Sequence, residues 1–150
     1  MAKTNILPNN LEAEQALLGC LLIDVDTQTD VLDKLTEDDF YQESHRLIIG
    51  AMKAVFNARK PVDLVTLADE LENEKSLDKA GGITYITDLA KIPPSAANYK
   101  SYLDTFKRDS VNRRLIKASQ KIIESSMEGA DSADSVAYAE KLVFDISKKM

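Results

Sequence analysis

The 150-residue chain has no tryptophan, one cysteine, one histidine, five glycines and four prolines. Each shortage removes a class of function. A single cysteine, Cys20, excludes an intrachain disulfide and a cysteine-based zinc site, and its leucine neighbours make it a buried thiol. A single histidine, His45 in "ESHRL", gives a metal cluster or a hydrolytic triad too few members, so it reads as a structural or surface side chain. No glycine begins or ends a G-x-x-x-x-G-K-[ST] match, so the sequence holds no phosphate-cradling loop. No apolar run reaches the roughly 20 residues of a membrane span, and the N-terminus lacks the layout of a signal peptide. The expectation is a cytoplasmic protein with no catalytic, cofactor-binding or metal-binding residues and no membrane partner.

What the chain has in quantity is charge and helix-forming residues. Its net charge of −6 opposes free-standing nucleic-acid binding. The charge is uneven: residues 1–97 carry 9 basic and 17 acidic side chains, residues 98–150 carry 10 and 8. Val/Ile/Thr alternations are scarce, which points to helices, and with 44% hydrophobic residues the chain can core one all-α domain, or a domain plus an appendage.

The opening stretch "LPNNLEAEQALLGCLLID" shows how such helices begin. Asn9 and Glu12 fit a capping box, and Glu12 and Glu14 sit where the helix dipole favours carboxylates. At i,i+2 the two acids point apart, so they form no catalytic pair. Beyond them Leu17, Leu18, Cys20, Leu21, Leu22 and Ile23 cover nearly the whole circumference, as in a buried helix. "VDTQTDVLDKL" turns Val31, Leu32 and Leu35 inward, and Phe40 and Tyr41 anchor the next turn. Leu47, Ile48, Ala51, Met52 and Val55 share a face. Asp63 caps a helix carrying Leu64, Leu67, Ala68 and Leu71. "KAGG" introduces "ITYITDLAKI", closed by Pro93-Pro94. Residues 1–97 thus read as a compact bundle of about six short helices.

Residues 98–150 read as a long helical hairpin. Tyr99, Leu103 and Phe106 make one stripe and Val111, Leu115, Ala118 and Ile122 another, so the helix changes face or breaks around "KRDS". Gly129 stops it, and Val136, Ala139, Val143 and Ile146 form a matching stripe on the last helix. Ile116 and Ile123 widen the first stripe; Leu142 and Phe144 flank the second. Two helices cannot bury arcs this wide against each other. The surplus covers the first domain or pairs with another chain, and self-association is the favoured reading. The candidate subunit interface is therefore Val111, Leu115, Ile116, Ile122, Ile123, Val136, Leu142, Val143, Phe144 and Ile146. Arg113, Arg114, Lys117 and Lys121 fall opposite the first stripe, as a solvated face or a docking patch for an acidic partner.

"LPNNLEAEQALLGCLL", "FYQESHRLIIGAM", "PVDLVTLADEL", "AGGITYITDLAKIPPSAANYKSY" and "RRLIKASQKI" stand in the order and spacing of a known domain. Together they resemble the N-terminal domain of the bacterial replicative DNA helicase family, DnaB, over nearly the whole chain. The resemblance implies a collar without chemistry of its own: hairpins that pair, six subunits in a ring, and recruitment of the primase C-terminal domain and a helicase loader. With primase as a partner, the basic face of Arg113, Arg114, Lys117 and Lys121 becomes the candidate primase-binding patch, a solvated face being the alternative, and DNA is expected to be bound weakly or not at all. ATP and Mg would belong to a RecA-like motor domain expected beyond Met150. A competing reading is a small helix-turn-helix DNA-binding regulator built on "VTLADEL…KAGGITYITDLAK".

Overall fold

Asn10 starts the first helix. Its side chain accepts the backbone N–H of Ala13 at 2.9 Å, ahead of α1 (Leu11–Ile23). The cap thus falls one residue after the Asn9 expected from the capping-box spacing, because Asn10 holds the extended backbone a cap requires. The computed structural model describes residues 6–150. α1 is buried nearly all round, Leu17, Leu18, Cys20 and Leu21 being fully enclosed, while Ile23 at its end is 44% exposed. Asp24 ends α1 in an extended conformation and caps α2 (Val25–Val31), accepting the Thr27 N–H at 2.9 Å.

A 3-10 turn (Leu32–Lys34) follows, and Val31, Leu32 and Leu35 drop into the core as their spacing requires. A second 3-10 turn (Glu37–Asp39) delivers Phe40, fully buried, to α3 (Glu43–Asn57). Asp63 and Thr66 form a reciprocal capping box for α4 (Leu64–Asn73). Gly81, at φ +107°, makes the left-handed entry to α5 (Gly82–Lys91) that a side chain would strain. Two longer helices complete the described chain, α6 (Tyr99–Met127) and α7 (Ser132–Lys148). No strand occurs among the described residues, so the fold is all-α, as the composition indicated.

Asn9–Lys107 forms one compact unit. α1 lies at its centre, packed against α2, α3 and α5, while α4 packs on α3 and α5. Tyr99, Tyr102, Leu103 and Phe106 from the first turns of α6 join this core, and Phe106 meets Phe40 edge-on with ring centroids 4.7 Å apart. Lys107 donates to the Asp39 carboxylate at 3.1 Å and the Lys34 carbonyl at 3.0 Å. The unit therefore runs past the 97/98 division read from the sequence, because α6 begins by supplying core side chains.

The second unit comprises Arg108–Met150 with residues 6–8. α6 passes through "KRDS" as an unbroken helix, resolving the alternatives left open there. Gly129, at φ +81°, closes it, and Asp131 caps α7 by accepting the Ala133 N–H at 3.2 Å. α7 returns along α6, where Tyr138 lines a groove with Lys121, Glu124 and Ser125. None of the described helices is long and apolar enough to cross a membrane.

One carboxylate cluster makes the first unit sensitive to pH. A side-chain hydrogen bond to Glu70 first, then burial and the charges of Glu70 and Glu37, push Glu74 up to about 7 from 4.5. Between those values the folded chain holds more protons than the unfolded one, so stability falls as pH rises through the window. Glu74→Gln should remove that dependence, raising Tm by about 1–3 °C at pH 8 and leaving it unchanged at pH 4. Calorimetry across that range checks it; an equal gain at both ends would show that the carboxylate pair is not the cause.

Candidate interaction site

Glu14 is not a solvent-facing first-turn acid. It is 1% exposed and takes three donors: the Tyr41 N–H at 2.7 Å, the Gln42 N–H at 3.4 Å and His45 Nδ1 at 2.7 Å. An ionised carboxylate can only accept, so Nδ1 carries the hydrogen in this pair. In the neutral ring Nε2 then accepts the Tyr85 hydroxyl at 2.6 Å, and Tyr85 in turn accepts Gln15 Nε2 at 3.2 Å. His45 and Tyr85 are stacked, with ring planes 8° apart. Each partner offsets the cost of burying the next, and no described buried side-chain nitrogen or oxygen lacks a hydrogen bond. Both ring nitrogens of His45 are occupied, so its role is to hold α1, α3 and α5 together.

The same two segments interlock at glycine. A Cβ on Gly19 would overlap the Leu89 carbonyl oxygen and lie 2.5 Å from Pro93 Cδ, so α1 touches α5 and its closing loop there without a side chain between them. Gly81 underlies Tyr85, whose Cβ would be 2.8 Å from one added there. The motifs "EAEQALLG" and "GGITYITDL" therefore meet directly at Gln15 with Tyr85 and at Gly19 with Leu89, and His45 from α3 bridges Glu14 to Tyr85. Between them Cys20 is fully enclosed, and burial, then Asp24, push its thiol up to about 11, so it is no nucleophile.

On the hairpin the ten apolar candidates divide into two sets. Ile146 is buried, and Val111, Ile116, Ile122 and Leu142 are half-buried. Leu115, Ile123, Val136, Val143 and Phe144 are exposed, Val136 by 59% and Phe144 by 60%. The α7 stripe read from sequence is thus two adjacent rows. Ala139, Leu142 and Ile146 turn inward with Ala118 on α6, and Val136, Val143 and Phe144 turn out. A shallow groove along α7 is lined by Ala137, Glu140, Lys141, Val143, Phe144 and Ser147.

The DnaB-like helicase N terminal domain profile matches residues 6–108. The chain belongs to the DnaB-like helicase N-terminal domain family. It is 37% identical over 145 residues to the replicative DNA helicase DnaB of Buchnera aphidicola, covering 95% of this chain and 31% of that protein. To the Bacillus subtilis replicative DNA helicase DnaC it is 37% identical over 143 residues, covering 95% and 32%. The chain therefore spans about a third of the length of these curated relatives. Its fold matches the N-terminal domain of DnaB helicase from Mycobacterium tuberculosis with a TM-score of 0.87 and 32% identity, over 94% of this chain and 99% of that one. A DnaB-like replicative helicase whose structure was described with its interactions with primase matches with a TM-score of 0.77 and 26% identity, over 91% of this chain and 31% of that one.

In this DnaB-like domain the basic face of α6 is smaller than its sequence suggests. Arg113 is only 5% exposed, and its guanidinium donates to the Pro8 carbonyl at 2.8 Å, so it cannot belong to a solvent-facing patch. Arg114 is half-buried, and Lys117 and Lys121 are exposed. The helix-turn-helix reading also meets an obstacle. Residues 74–81 separate α4 from α5, a connection longer than the three or four residues, roughly, of that motif. Sequence reasoning missed the burial of Glu14, although the signal was there: Glu14, Leu17, Leu18 and Leu21 stand at i, i+3, i+4 and i+7.

Proposed function

We propose that this chain is the collar portion of a hexameric replicative DNA helicase, which joins subunits through its hairpin and recruits primase at the fork. The observation that carries the reading is the uncovered apolar face of α7, centred on Val136, Val143 and Phe144. The collar has no catalytic step of its own. ATP and Mg chemistry and the grip on DNA are assigned to a motor portion corresponding to the rest of the relatives' length. Net charge of −6 supports weak DNA contact here. A helicase loader is a further proposed partner.

Self-association is tested by Phe144→Asp. The side chain is 60% exposed, so the hairpin should stay folded, while a charge placed in an apolar contact should weaken pairing by about 2 kcal/mol, ~30-fold in Kd. Leu142 is a poorer probe, because its half-buried side belongs to the inward row. Sedimentation velocity should show wild type associating and the variant shifted to monomer with unchanged helicity. Equal monomers at high concentration would sink the reading.

The primase contact is assigned to Arg114, Lys117 and Lys121, without Arg113. Charges at the rim of an interface act on association rate and salt dependence. Arg114→Glu with Lys117→Glu should therefore slow capture of a primase C-terminal domain by on the order of tenfold at low salt and flatten its salt dependence. Surface-plasmon kinetics with an unchanged on-rate would leave these residues as a solvated face.

A further inference from the structure

A cleft of 480 Å³ opens on the first unit between α1, the end of α5 and the first turns of α6. Ala13 and Ala16, 6% and 7% exposed, form its floor. Ile92, 44% exposed, and the half-buried Tyr102 ring supply apolar walls. Its polar atoms are mostly acceptors. The exposed Glu12 carboxylate can only accept, and among the described residues it makes no hydrogen bond or ion pair. The Thr105 hydroxyl donates to the Ser101 carbonyl at 3.2 Å, which leaves its oxygen to accept. Gln15 is oriented from the interior. Tyr85 gives its hydrogen to His45 Nε2, so it can only accept from Gln15, and the Gln15 amide nitrogen faces it. The group Gln15 has left to accept with is Oε1. No lysine or arginine lines the cleft.

We propose that this cleft is a subsite for an arginine side chain presented by a separate protein partner. A ligand here must bring positive charge, several N–H donors and an apolar stem. A guanidinium has five donors and no acceptor, so it serves Glu12, Gln15 and Thr105 together, whereas the donors of an ammonium radiate from one point. The alkyl stem lies on Ala13, Ala16 and Ile92, and the flat head suits the Tyr102 ring. The volume is within the roughly 300–1,000 Å³ of small-ligand sites, room for an anchoring side chain rather than a whole helix. Residues 1–97, with 17 acidic against 9 basic side chains, add a field that draws a cation in. The subsite is independent of the hairpin's self-association.

Nuclear magnetic resonance of the isotopically labelled chain tests it, with acetyl-arginine methylamide as the probe. Saturable shifts are expected at Ala13, Gln15, Ala16 and Thr105. The ring of His45, the single histidine, should move with them, because Gln15 reaches it through Tyr85. Glu12→Gln removes the cleft's one charge and should weaken binding on the order of tenfold, while Glu72→Gln, exposed on α4, should leave it unchanged. The citrulline analogue, neutral and of the same shape, should also bind on the order of tenfold more weakly. Shifts that fail to saturate, or an equal response to the citrulline or lysine analogue, would overturn the subsite. Sedimentation velocity identifies the source: unchanged self-association of Glu12→Gln supports a separate partner, and loosened self-association would make a second copy the arginine donor and overturn it. Circular dichroism confirms that each exposed substitution leaves the chain folded.

Discussion

Gly19→Ala should destabilise the first unit by about 3 kcal/mol, against the sign that helix propensity alone would give. In an open helix the same change gains about 1 kcal/mol. At Gly19 the new methyl would overlap the Leu89 carbonyl oxygen and press on Pro93 Cδ, which is backbone and ring rather than a flexible tip. Neither yields without moving α5 from α1. Gly50, inside α3, is the internal control. An added Cβ there meets Glu37 Oε1 at 2.8 Å, and the end of that side chain can swing aside. Gly50→Ala should be neutral or stabilising by up to ~1 kcal/mol. Urea unfolding of the two variants reads both, and a Gly19→Ala chain as stable as wild type would refute the close approach.

Removing the buried acid should cost at least as much. Glu14→Ala strands the Tyr41 N–H and His45 Nδ1 in an interior where Glu14 and His45 are 1% and 0% exposed. Breaking a buried hydrogen-bonded pair from one side typically costs about 3–5 kcal/mol, enough to lower Tm by on the order of 10 °C. Tyr85→Phe removes the hydroxyl's two hydrogen bonds, with His45 Nε2 and Gln15, and should cost less, about 1–3 kcal/mol. Because the groups act as a chain, the Glu14→Ala and His45→Ala losses should be far from additive in a double-mutant cycle. Additive losses, or a Glu14→Ala chain with wild-type Tm, would mean that the network is incidental to stability.

Local rules made most of the helical scaffold legible. Cap residues, apolar spacing and the proline stop placed α1 and α3 through α5 to within a residue or two, because those signals act over one or two turns, whereas the helix expected over residues 25–35 stops at Val31 and gives way to a 3-10 turn. What stayed hidden were charged residues on apolar rows. Glu14 obeys the helix-dipole rule for a first turn, and that explanation masked its i+3, i+4 and i+7 neighbours in the core. Arg113 stands seven residues after Phe106 and three after Ser110, all buried, yet its charge placed it with solvent. On α7 the two rows are only about 60° apart, so one stripe in sequence became an inward and an outward row. The motifs that marked the family turned out to carry packing instead of chemistry, since Glu14, Gln15, Gly19, His45 and Tyr85 meet only when α1, α3 and α5 are assembled.

Asp24 is a hinge pin one residue long. It closes α1 and opens α2 with the same extended backbone, leaving no slack between two helices whose side chains are already seated. One residue inserted there would rotate everything after it by a helical step, while Gln28 must still reach the Leu21 and Val62 carbonyls at 2.7 and 2.9 Å. The joint at residues 128–131 has the opposite character, being solvent-facing and closed by a left-handed glycine. Changes in chain length should therefore accumulate at the hairpin tip and be absent at Asp24, so the tip is where foreign sequence can be carried without disturbing the bundle.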